Sequence, residues 1–218
     1  MHSVQSLLTS ITATVALTLS VPNTSWADDP IPVVATFSVL GDMVKRIGGE
    51  HISLTTLVGA DGDTHVYQPT PQAARVVAEA DVLFINGLGF EGWLERLVEA
   101  APFAGSLVVA TTGIEPIAFG DHDDHEEGHE EGHEEGHEEG HEEGHEEATD
   151  HHGEHGAFDP HAWHSFTNAI IYANNIAAGL AQVDPTNAGF YYQNHQIFVN
   201  EIRALKAEAD VIMAALPI

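Results

Sequence analysis

The chain has 218 residues, 34 of them acidic against six Lys and Arg, a formal net charge of −28, and it has no cysteine. So few bases cannot track a phosphate backbone, which makes nucleic acid and anionic membrane poor partners; the missing cysteines exclude disulfides and a lipid-modified Cys anchor. The length suffices for one or two domains with real cores.

Taken in order, the chain opens on Ile11 to Val21, an apolar run too short to cross a bilayer, followed by the small-x-small pattern Ser25-Trp26-Ala27. Residues 1–27 are predicted to be a signal peptide whose removal leaves Asp28 first. Its n-region has no Lys or Arg, so His2 and the terminal amine supply the positive charge. The implied location is the periplasm, with no stable membrane insertion after cleavage.

Pro32 to Phe37 is apolar and β-branched enough for a buried strand, with Ser38 as the predicted N-cap of a helix. Leu40, Met43, Val44 and Ile47 recur at helical spacing until Gly48-Gly49 stops it. A second strand, Ile52 to Val58, runs into a turn-rich stretch from Gly59 to Asp63 that delivers His65 beyond the strand's carboxyl end, where open α/β sheets place their ligands. Pro71 suits the first position of a helix carrying Ala74, Val77 and Ala78. Val82 to Ile85 is a third strand, Gly87-Leu88-Gly89-Phe90 a corner, and Trp93, Leu94, Leu97 and Val98 an amphipathic helix that Pro102 ends. Leu107 to Ala110 is a fourth strand. The alternation predicts an α/β fold with a mainly parallel four-stranded sheet, flanking helices and right-handed crossovers.

The stretch 121–155 interrupts this pattern with repeated His-Glu-Glu-Gly and carries about half of the acidic residues. Its histidines are His122, His125, His129, His133, His137, His141, His145, His151, His152 and His155. A segment this polar cannot bury enough apolar surface to offset its conformational entropy, so it is expected to be a disordered insertion. Imidazole binds zinc, copper and nickel, and carboxylates neutralise the cation, so auxiliary metal capture without fixed geometry is expected.

Beyond the tract, Ser165 is predicted to cap a helix reaching about Gln182, with Ala169, Tyr172, Ile176 and Leu180 on its buried side. Asp184-Pro185 restarts a single long helix to about Ala215, with Phe190, Ile197, Ile202, Leu205 and Ile212 expected along its buried stripe.

Two histidines stand outside the core pattern, His65 in Gly-Asp-Thr-His-Val-Tyr-Gln-Pro-Thr-Pro and His161 in Phe-Asp-Pro-His-Ala-Trp. Either alone is more often a solvated loop residue than a ligand; the pair is more persuasive. Asp63 and Asp159 have two readings, as acceptors for the second ring nitrogen of each histidine or as plain turn formers. His164 is read as exposed, with substitute ligand as the alternative.

Gly59 to Pro71, the corner Asn86-Gly87-Leu88-Gly89 with Glu91-Gly92-Trp93-Leu94, and Asp159 to Trp163 resemble the periplasmic metal-binding proteins of bacterial zinc and manganese ABC importers. The resemblance implies two α/β lobes facing each other across a long helix with one metal between them. His65 and His161 would be the ligands from the first lobe, residues 28–184, and 185–218 would begin the linker helix. The third and fourth ligands would come from a second lobe, so the chain is expected to be truncated after the linker. The implied ligand is Zn2+, with Mn2+ as the alternative, because the histidine-rich tract resembles the zinc-specific branch and zinc favours imidazole. The implied partner is an ABC transporter permease, and no enzymatic activity is expected.

Two other classes compete. A periplasmic zinc buffer or chaperone would work through the tract alone. A zinc hydrolase would need a metal-bound water and a poised base, but H-E-x-x-H spacing occurs only within the glycine-interrupted tract 121–155, expected to be disordered rather than helical, and no G-x-S-x-G elbow is present.

Overall fold

A computed structural model describes residues 29–118 and 157–216. The predicted signal peptide and the histidine-rich tract lie outside the described residues.

Four strands, β1 (Ile31–Phe37), β2 (Ile52–Val58), β3 (Val82–Ile85) and β4 (Ser106–Val109), form one parallel sheet in the order β2-β1-β3-β4. The register runs Val33 to both Leu54 and Val82, and Phe84 to Val108. Central strands covered on both faces read as continuous apolar runs, and β3, Val-Leu-Phe-Ile, is buried at every position. The connections are α1 (Ser38–Gly48), α2 (Pro71–Ala78) and α3 (Leu94–Ala100). Because the chain moves one way from β1 to β2 and the other way from β2 to β3 and β4, right-handed crossovers put α1 on one face and α2 with α3 on the other. The reversal lies between β1 and β3, so their carboxyl ends, Thr36-Phe37 and Asn86, flank the topological switch point where open sheets bind ligands.

Two further helices, α4 (Phe166–Val183) and α5 (Ala188–Ala214), pack against each other and against α1. The predicted face of α4 is the buried one: Ala169, Tyr172, Ile176 and Leu180 are all in the core. Gly179 lets α4 approach the sheet, since a Cβ there would lie 2.7 Å from Val108 Cγ2.

Most caps follow the sequence. Thr70 Oγ1 accepts from Ala73 N at 3.1 Å, Pro71 opens α2, Ser165 Oγ accepts from Asn168 N at 3.4 Å, and α1 ends against Gly49 at φ 58°. Ser38 is a correction. The strand passes directly into α1 with Phe37 in the cap position, so Ser38 is already helical and its side chain caps nothing. The stripe predicted for α5 is a second correction. The buried residues are Tyr191, Phe198, Val199 and Ile202, whereas Ile197, Leu205 and Ile212 are exposed and Phe190 is half-buried. Positions 191, 198 and 202 repeat at helical phase, while 190 and 197 lie about 100° round the helix. Leu205 and Ile212 stay near the buried phase but lie past Ile202, the last buried residue of α5. Among the described residues no helix is long and apolar enough to cross a membrane.

Candidate metal centre

His65 is presented by the loop after β2. Gly62 N donates to Gly59 O at 3.1 Å to close the turn, and Asp63 Oδ1 accepts from His65 N at 2.9 Å, the local bond of an Asx turn. Of the two readings of Asp63, the structure has the turn former. One residue before His65, Thr64 O accepts from the indole Nε1 of buried Trp93 at 2.8 Å.

His161 arrives from the other side of the described chain. Ala118 and Phe158 form an antiparallel bridge and Asp159 N donates to Ile117 O at 2.8 Å, which joins the two ends of the interrupted segment. Asp159 Oδ1 then accepts from His161 N at 2.9 Å and meets His161 Nδ1 at 2.7 Å. Here both readings of the aspartate are observed, the turn former and the acceptor for the ring nitrogen. Those two bonds hold the Asp159 carboxyl below its ordinary range, His161 supplying both. Pro160 O, one residue before His161, accepts from Asn86 Nδ2 at 2.9 Å.

The two loops bring His65 Nε2 and His161 Nε2 within 3.2 Å of each other. Two nitrogens on a tetrahedral zinc stand about 3.3 Å apart, and a right-angled octahedral bite gives about 3.0 Å, so the pair has the span of a chelate in either geometry. A carboxylate on Nδ1 keeps the proton there and leaves the Nε2 lone pair of His161 free. In the metal-free contact His65 Nε2 must then be the donor. A metal entering between the rings requires His65 to give up that proton or move it to Nδ1.

Aromatic rings support the pair. The centroid of the Phe90 ring lies 4.9 Å from that of His65 and 5.7 Å from that of His161, edge to face with both. Phe37 and Trp163 extend the support, each about 5 Å from Phe90 at 4.9 and 5.1 Å. Below them Glu91 is buried with raised carboxyl affinity for its proton, because desolvation outweighs the hydrogen bonds from Thr36, Asn86 and Gly87. His65 is exposed and His161 half-buried, so the pair opens to solvent.

His164 is exposed, its ring 6.5 Å from that of His161, and it is not brought to the pair. The ten tract histidines lie outside the described residues. Among the described residues no group of three or more His, Cys, Asp or Glu is placed to hold a metal. His65 and His161 are thus two imidazoles brought together without a third such group beside them among the described residues. A broad groove between α2 and α3, lined by Pro71, Arg75, Arg96 and Leu97, contains neither histidine. Asn86, Phe90, Glu91 and Trp93 pack around the pair, a role the sequence did not give them; their only signal there was the corner motif around Asn86 to Trp93.

The chain matches the family model for the zinc-uptake complex component A, periplasmic, over residues 33–218. It is 31% identical over 193 residues to the metal ABC transporter substrate-binding lipoprotein ScbA of Streptococcus cristatus, covering 86% of this chain and 53% of that protein. The manganese ABC transporter substrate-binding lipoprotein PsaA of Streptococcus pneumoniae is 30% identical over 197 residues, or 88% of this chain and 54% of its own. A Mn-bound periplasmic metal binding protein from Candidatus Liberibacter asiaticus superposes with a TM-score of 0.60 at 29% identity, over 79% of this chain and 53% of that one. The chain thus spans about half the length of the relatives it matches. Those relatives are substrate-binding proteins of transporters and not enzymes. With all of its described fold from Val33 onward inside the matched region, the chain belongs to the periplasmic zinc-uptake component A family of metal-binding proteins.

Proposed function

We propose that this chain is the first metal-binding lobe, residues 28–184, and the start of the linker helix, residues 185–218, of a periplasmic protein that captures Zn2+ and delivers it to an ABC transporter permease. The observation that carries the reading is the 3.2 Å separation of His65 Nε2 and His161 Nε2, with Asp159 on the far nitrogen of His161. Both groups act as ligands without leaving their loops. Zinc is favoured over manganese because two imidazoles suit a borderline-soft cation, whereas Mn2+ prefers oxygen. The ten histidines of residues 121–155 add weak auxiliary capture in the same compartment. They also support a second reading, a periplasmic zinc buffer acting through the tract alone.

Calorimetric titration with zinc, and with manganese in competition, separates the readings. The wild-type chain is compared with a deletion of residues 121–155 and with a His65→Ala, His161→Ala double variant. The importer reading requires a one-to-one zinc event that survives the deletion, disappears in the double variant and is not displaced by equimolar manganese. Binding that is multi-ion and lost with the tract would favour the buffer. Displacement by manganese would move the chain to the manganese type.

A further inference from the structure

The two carbonyls that immediately precede the histidines are held by side chains from one short segment. Trp93 Nε1 donates to Thr64 O at 2.8 Å and Asn86 Nδ2 donates to Pro160 O at 2.9 Å, across sequence separations of 29 and 74 residues. Phe90, between them in sequence, lies against both imidazoles. Asn86 and Trp93 are buried, with relative exposures of 0% and 1%, so neither bond competes with bulk water.

The segment is itself over-determined. Gly87, Leu88 and Gly89 all have positive φ, 88°, 56° and 77°. Leucine there is disfavoured by about 1–2 kcal/mol, so surrounding contacts must impose the conformation. Glu91 imposes it by closing on the corner: Oε1 accepts from Asn86 N at 2.7 Å and from Thr36 Oγ1 at 2.6 Å, and Oε2 accepts from Gly87 N at 3.1 Å. The Asn86 side chain is fixed at its other end by Tyr172 of α4, whose hydroxyl donates to Asn86 Oδ1 at 2.5 Å, and Asn86 O accepts from Thr111 Oγ1 at 2.7 Å. Among the described residues no buried side-chain polar atom is left without a partner. A corner needed only to connect β3 to α3 has no use for two buried donors aimed at two separate ligand loops.

We propose that the β3–α3 corner, residues 86–93, sets the distance between the two histidines, with Trp93 positioning His65 through Thr64 O and Asn86 positioning His161 through Pro160 O. Neither residue is a ligand. The inference rests on the reading of His65 and His161 as the metal seat for its effect on affinity, but not for its effect on the metal-free rings.

The test uses the full chain with two substitutions, Trp93→Phe, which removes the indole donor and keeps an aromatic ring, and Asn86→Ala. Imidazole 15N–1H spectra are recorded without metal, with the His65 and His161 signals assigned from the single alanine variants, and then followed during zinc addition. Trp93→Phe should move the His65 signals, Asn86→Ala the His161 signals, and each should weaken zinc binding at the pair about tenfold, as loss of a supporting group does. In a His65→Ala background Trp93→Phe should add no further loss. Residues needed only for folding would lower the melting temperature and leave spectra and affinity of the folded protein unchanged, and that result overturns the proposal. So does wild-type affinity in a variant whose ring signals have moved. If Asn86→Ala does not fold, Tyr172→Phe, which frees the same amide from its other end, is judged by the same criteria. If zinc does not bind at the pair even in the wild type, the importer reading fails and the metal-free spectra alone decide the positioning role.

Discussion

Asp159 performs two tasks with one oxygen, closing a turn through His161 N and fixing the tautomer of the ring through Nδ1. Its backbone N–H goes to Ile117 O, so the loop stays pinned without the carboxylate. Asp159→Ala should therefore leave the fold intact and free the His161 ring to populate the tautomer with its proton on Nε2, the nitrogen a metal needs. Zinc affinity should fall about tenfold, read by titration against a chelator of known strength. An unchanged affinity would mean that the turn alone matters. Gly49 is constrained by backbone: its φ of 58° favours glycine, and a Cβ there would lie 2.8 Å from Phe190 Cε1. Gly49→Ala should cost at least about 1 kcal/mol in urea unfolding, by strain at a positive φ that only glycine adopts freely and by displacement of Phe190. A cost near zero would show that the ring yields freely.

The junction of α4 and α5 is polar and tightly tied. Asp184 accepts from Asn187 N, Asn187 Nδ2 and Tyr191 Oη at 3.2, 2.7 and 2.6 Å. Burial pushes the Asp184 carboxyl up, but the bonds from Tyr191 and Asn187 outweigh it and the net shift is downward. A carboxyl lowered in the folded state contributes stability that is present above its unfolded value of about 4 and is lost as pH falls through the lowered one. Tyr191→Phe removes one of the three bonds. Stability should drop by about 1 kcal/mol near neutral pH and by less once Asp184 is protonated in both states, measured by urea unfolding at the two ends of that window. An equal loss at both ends would assign the effect to packing. At this scale much of the fold was legible: apolar runs marked the four strands, and the buried face of α4 followed from its spacing. The burial of α5 was legible only at Ile202, because Tyr191 and Phe198 fill space against α1 and α4 that no local pattern reveals. Ser38 misled because a cap residue is also tolerated one position later, where nothing obliges it to cap.

The molecule as a whole is a parallel sheet whose switch point carries a pair of imidazoles on two loops, steadied by a buried network. The pair was legible because both histidines follow acidic turns in motifs that stand out from the core pattern. The network was not, since its bonds join Asn86 to Pro160, Trp93 to Thr64 and Tyr172 to Asn86, across separations that local sequence patterns do not span. The motif marked those residues without giving the reason. The most direct test of the account is zinc-edge anomalous diffraction from crystals of the full chain grown with one equivalent of zinc. The account predicts one dominant peak about 2.0–2.1 Å from both His65 Nε2 and His161 Nε2. A dominant peak elsewhere, with the two rings left in their direct contact, would contradict it.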